Sequence, residues 1–181
     1  MFNQEQFNFD NTRFIFATNF SGDPKRDNFG DTRRKVNLII PTEELAKALT
    51  KAGINVRQTK PGKYDTPEDF VPEFYTTVII QYRKRDGELV KYPPAVHLVP
   101  EPGAAPVKMS EETVGQLDFI RVKNVNCIAT VREYKRADGT VGHNLQTRVM
   151  YVEQDMDQDP YAAKYARKDE LDPESEPDDT L

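Results

Sequence analysis

Two stretches of the chain set cations around aromatic rings at spacings that suit contact with a polyanion. Lys25, Arg26, Arg33, Arg34 and Lys35 crowd into residues 25–35, with Phe29 among them. Further on, Arg132, Tyr134, Lys135 and Arg136 run into the segment 137–140, and Arg148 follows on its far side. Ammonium and guanidinium groups neutralise phosphates, and an exposed ring gives a base a face to stack on, worth ~1–3 kcal/mol per base. Phe20 and Tyr82, each beside a basic segment, join Phe29 and Tyr134 as candidate stacking platforms. A plainer reading stands beside this one. Charge runs can be merely solvated, and strand aromatics such as Phe14 and Phe16 can belong to the core, because a barrel strand has both a buried and a ligand-facing side.

The groups that catalysis would need are scarce. His97, His143 and Cys127 are the chain's full stock of histidine and cysteine, and their spacing fits no metal site. Alternation turns Cys127 inward, as a small apolar filler rather than a nucleophile. No Gly-x-x-x-x-Gly-Lys, Gly-x-Gly-x-x-Gly or Gly-x-Ser-x-Gly segment is present. The expectation is a non-catalytic protein with no metal and no cofactor.

The elements that position these side chains are mostly strands. Residues 119–152 read as one long β-hairpin, with Val125, Cys127, Ala129 and Val131 on one face of the first arm and Leu145, Val149 and Tyr151 on one face of the second. Asp138-Gly139 supplies the positive φ angles of a tight turn between the arms. Upstream, residues 13–20 form a first strand and residues 36–40 a second. Thr42 caps a structural helix over residues 43–52, closed by Gly53, and residues 74–82 are β-branched and aromatic throughout. Consecutive prolines confine residues 92–99 to an edge, and Ser110 opens a short helix that leads into the hairpin. Residues 1–12 read as a loose arm pinned by Phe2, Phe7 and Phe9. The proline-bearing loops 61–72 and 100–106 carry no assignable chemistry.

The chain of 181 residues has 37% hydrophobic content and a mean hydropathy of -0.74, low enough that part of it should stay solvated. Its net charge of -5 hides an asymmetry. From Glu153 onward eleven acidic residues face three basic ones, a charge of -8, while residues 1–152 hold nineteen acidic and twenty-two basic ones, or +3. The expected organisation is a domain at 1–152 and an acidic, disordered tail at 153–181. No apolar run approaches the roughly 20 residues that span a bilayer, the N-terminus lacks the pattern of a signal peptide, and a lone cysteine suits a reducing, cytoplasmic setting.

In order, the chain gives strand, basic loop, strand, third strand, short helix and terminal hairpin. This is similar to the OB-fold, a mainly β five-stranded barrel. The runs Thr18-Asn19-Phe20-Ser21-Gly22 and Arg33-Arg34-Lys35-Val36-Asn37-Leu38-Ile39-Ile40-Pro41, together with the acidic tail, resemble phage-encoded single-stranded-DNA-binding proteins. The resemblance implies sequence-independent binding of single-stranded DNA in replication, recombination or repair, inside the bacterial host cell. It implies contact through Phe20, Lys25, Arg26, Phe29, Arg33, Arg34, Lys35, Tyr82, Arg132, Tyr134, Lys135, Arg136 and Arg148. It also implies that the tail contacts replication or recombination proteins, with Leu181 as an apolar end. Two features depart from the pattern: the helix after the second strand, and a tail with no terminal aromatic. The rival reading is a protein-interaction or inhibitor module whose acidic tail mimics nucleic acid. Cations aligned along one groove favour the DNA binder, and scattered ones favour the rival.

Overall fold

The computed structural model describes residues 5–66 and 68–155. Phe2, Leu181 and nearly all of the acidic tail lie outside the described residues. The strands are β1 (Gln6–Thr12), β2 (Phe14–Asn19), β3 (Lys35–Ile39), β4 (Arg57–Gln58), β5 (Phe74–Ile79), β6 (Ala95–Val99), β7 (Val107–Lys108), β8 (Val122–Lys135) and β9 (Val141–Gln154). Helix α1 (Glu43–Lys51) lies between β3 and β5, and a 3-10 helix (Val114–Phe119) precedes β8. Among the described residues no helix is long and apolar enough to cross a membrane.

The main path of pairing runs β1-β8-β9-β5-β3-β2. Its two ends are consecutive in the chain, because Arg13 alone separates β1 from β2. They act as one bent strand whose first half pairs with β8 and whose second half pairs with β3, so the path returns on itself. This is how five long strands make a barrel, with β5 and β9 as its parallel pair.

Residues 6–12 are therefore not a loose arm. Phe7 and Phe9 alternate with Gln6, Asn8 and Asp10, point inward and are buried, as a half-buried strand requires. Helix α1 is an insertion in the barrel pattern. Thr42 Oγ1 accepts from Leu45 N at 3.2 Å, Ala46 and Leu49 are buried, and Gly53 leaves the helix at φ 87.

The hairpin forms as its alternation predicts, with Val125, Cys127 and Ala129 buried. Its turn differs in one respect: only Gly139 has a positive φ, 87, and Arg136 N donates to Thr140 O at 2.8 Å across three residues. The second arm also changes face. Leu145 and Thr147 point inward, but the register shifts so that Ala129 pairs with Thr147 and Ile128 with Val149. Arg148 is the extra residue of this bulge, and beyond it Met150 and Val152 are buried in place of Val149 and Tyr151.

One core fills the barrel, with Phe9, Phe20, Leu38, Leu49, Ile80, Leu117, Leu145 and Met150 all but wholly out of solvent. Burial pushes the Cys127 thiol up to about 12, which keeps it protonated and inert.

Candidate nucleic-acid interface

Register fixes which side chains share the outer face of the barrel. Across β2, β3 and β5, Ile15 lies opposite Asn37, and Asn37 opposite Thr77, whose Oγ1 donates to Asn37 Oδ1 at 2.7 Å. One row over, Lys35 pairs with Ile79, Ile79 with Gln146, and Gln146 with Thr130. Beyond these come Asn144 opposite Arg132, then Gly142 opposite Tyr134. Arg132 Nη1 donates to Gln81 Oε1 at 3.1 Å, which ties β8 to the end of β5 across β9. The face is rich in amides and hydroxyls and carries cations along one side.

An aromatic pair stands at one end. Phe16 is 63% exposed, and its ring meets that of Tyr75 edge to face at 5.2 Å. Its φ of 63 lies in the left-handed region, which side chains rarely adopt, and it sits where the β2–β3 register shifts. Strain of this kind persists only where the surroundings enforce it, and it gathers at functional sites. Sequence reasoning left Phe16 undecided and passed over Tyr75, because alternation is lost at the shift.

Tyr134 stands at the other end. A Cβ placed on Gly142 would fall 2.4 Å from the Tyr134 ring, so the hydroxyl end of that ring lies close against glycine backbone. Arg136 is 5.5 Å from the ring centroid and is itself held by Val141 O at 3.1 Å.

The loop 20–34 is stiffened by its own charges. Lys35 Nζ reaches Asp27 at 2.8 Å and Asp31 at 3.3 Å, and Arg33 reaches Asp31 at 2.7 Å. Arg33 holds the Asp31 carboxyl far below the usual carboxylate range, and Lys35 lowers Asp27. Asp118, whose side chain is fully buried, accepts from Thr18 Oγ1 at 2.8 Å, Phe20 N at 2.7 Å and Ser21 N at 3.0 Å, and pairs with Arg26 at 3.4 Å. It fastens the end of β2 to the 3-10 helix.

The chain matches, over residues 1–180, the model of the family described as "Putative phage ssDNA-binding domain". The chain belongs to this phage ssDNA-binding family. It therefore binds single-stranded DNA. Similar solved structures include the single-stranded DNA-binding protein from bacteriophage Enc34, C-terminal truncation, at 9% identity and TM-score 0.47, covering 83% of this chain and 84% of that one. Another is gp2.5, a single-stranded DNA binding protein encoded by bacteriophage T7, at 12% identity and TM-score 0.43, covering 89% and 94%. No curated protein sequence matches.

For a member of this family, two of the expected platforms are misplaced. Phe20 is wholly buried against Phe14, with ring centroids 5.5 Å apart, and belongs to the core. Tyr82 is 8% exposed, under Arg34, whose guanidinium lies 5.4 Å from its ring and also donates to Phe20 O and Glu111 O. Arg34 therefore closes one end of the barrel and does not lie on the face. Phe29 is 95% exposed at the loop tip. Lys135 falls on the opposite side of the hairpin arm from Tyr134 by strand alternation. Arg148 protrudes at its bulge, 5.6 Å from Tyr92.

Proposed function

We propose that a single strand lies across the face of β2, β3, β5, β9 and β8, with bases on Phe16–Tyr75 and Tyr134 and phosphates against Arg132 and Arg136. One observation carries this reading: cross-strand rows made mostly of amide and hydroxyl side chains, with Ile15 and Ile79 among them, run between the Phe16–Tyr75 pair and Tyr134. The hydrogen-bonding groups of that surface belong to amides and hydroxyls that suit any base or sugar, which supports sequence-independent binding. The protein acts without catalysis, as a strand-protecting component in the host cytoplasm. Its acidic tail recruits replication or recombination proteins, and deleting residues 155–181 should abolish their capture while single-strand binding persists.

Arg132 and Arg136, two residues to either side of Tyr134 on the same hairpin arm, with Arg136 5.5 Å from its ring centroid, support the DNA reading over an interaction module. Arg26 and Arg34 do not join that pair, since Asp118 and backbone carbonyls hold them. Fluorescence anisotropy of labelled oligo-dT against the matching duplex tests the proposal. Tight single-strand and weak duplex binding is expected, with loss of affinity in Phe16→Ala and Tyr75→Ala. Full affinity in both variants would refute the placement.

A further inference from the structure

Past Gln146 the face does not end. Gln81 follows Ile79 by two residues and Arg148 follows Gln146 by two, so the paired row Ile79–Gln146 leads on to Gln81 and Arg148. Arg132 already reaches Gln81 from the DNA face at 3.1 Å. Arg148 then reaches Tyr92, 5.6 Å from its ring centroid, and Lys91 lies 5.4 Å from the same ring. Tyr92 is 66% exposed, and Pro93-Pro94 directly after it restrict its backbone.

Two chemical features set this patch apart from the other cations near aromatics. Arg26, which lies over the exposed Phe119, is paired with Asp118, whereas neither Arg148 nor Lys91 is in an ion pair with a carboxylate among the described residues. The bulge at Arg148 is also what frees its side chain to turn here, since consecutive residues Ile128 and Ala129 pair with Val149 and Thr147 and leave Arg148 without a ladder partner. An exposed ring with two unneutralised cations at its sides offers a stack for one base and charge for the flanking phosphates.

We propose that Tyr92, with Arg148 and Lys91, is a second nucleotide-binding station, reached by the strand only after it has crossed the barrel face. It takes a base and its phosphates from single-stranded DNA, so the binding site extends beyond β9 toward β6. This inference rests on the strand path proposed above.

The chain contains no tryptophan, so Tyr92→Trp and Tyr134→Trp each give a single reporter of base stacking. Each is titrated with oligo-dT of about 6 and about 20 nucleotides, spanning the ~4–16 nucleotides that such folds cover. Tryptophan at 134 should be quenched by both oligonucleotides and tryptophan at 92 by the longer one only. Tyr92→Ala should weaken binding of the longer oligonucleotide about 5- to 150-fold, the equivalent of one stacked base, and leave the shorter one unchanged. A reporter at 92 that ignores the longer strand while the reporter at 134 responds overturns the second station and leaves the barrel path standing. Silence at both positions overturns both. Equal loss on both lengths in Tyr92→Ala overturns the extension, because Tyr92 would then belong to the central contact.

Discussion

Salt dependence separates cations that touch DNA from cations that hold the protein together. The sequence offers nine basic candidates: Lys25, Arg26, Arg33, Arg34, Lys35, Arg132, Lys135, Arg136 and Arg148. Arg26, Arg33 and Lys35 are neutralised by Asp118, Asp31 and Asp27, and Arg34 is held by two carbonyls. Each new phosphate contact on a single strand contributes about -0.7 to the slope of log affinity against log salt. Lys135 points away from the face, so the four remaining cations give about -2.8, while all nine would give about -6.3. Between about 50 and 200 mM salt the first loses about fiftyfold in affinity and the second several thousandfold. Asp31→Asn releases Arg33, while Lys35 keeps Asp27, so the slope should steepen by about 0.7 and binding at low salt should tighten. Because the Asp31 carboxyl sits far below its usual range, the wild-type slope should not change from about pH 8 to pH 5. Anisotropy of oligo-dT over a salt series measures all of this. A wild-type slope near -6, or an Asp31→Asn slope equal to wild type, would refute the claim that the loop's ion pairs are internal.

Three further outcomes are expected. Asp118→Ala leaves two backbone amides, a hydroxyl and a guanidinium without their buried acceptor, and should cost about 3–5 kcal/mol in urea denaturation; a loss under about 1 kcal/mol would show the clamp is not formed. Gly142→Ala should push the Tyr134 ring aside and weaken oligo-dT binding about 5- to 150-fold, with no further loss when added to Tyr134→Ala. Burial and the nearby Lys108 lower the His97 pKa from 6.5, so the unfolded chain takes up the proton first. Stability is then complete above about pH 6.5 and falls as pH drops through it, and urea midpoints of His97→Phe should lack that fall.

Much of the fold was legible because local signals agreed. Thr42, Glu43 and Gly53 mark α1, and the alternation of Val125, Cys127 and Ala129 ahead of Asp138-Gly139 marks the hairpin. The first strand was hidden by composition: Phe7 and Phe9 alternate correctly, but the polar residues around them read as a loose arm. The charge clusters were visible, but the partners of the charges were not. Asp118 lies far along the chain from Thr18, Phe20 and Arg26, and nothing local reveals that it binds them.

The side chains that leave the strand alternation share a cause that bears on function. Alternation predicts faces only while the register is unbroken, and it breaks between Ile15 and Asn19, at Arg148, and between Phe9 and Thr12. The first break turns Phe16 out to meet Tyr75, the second turns Arg148 toward Tyr92, and the third bends β1 into β2 and closes the barrel. A bulge leaves one residue without a ladder partner, so its side chain can leave the regular pattern of the sheet without disturbing the core beneath. The residues hardest to read from the sequence are thus those the fold has freed to make contacts of their own. In this chain two of them are an aromatic and an arginine, the two side chains best suited to a base and its phosphate.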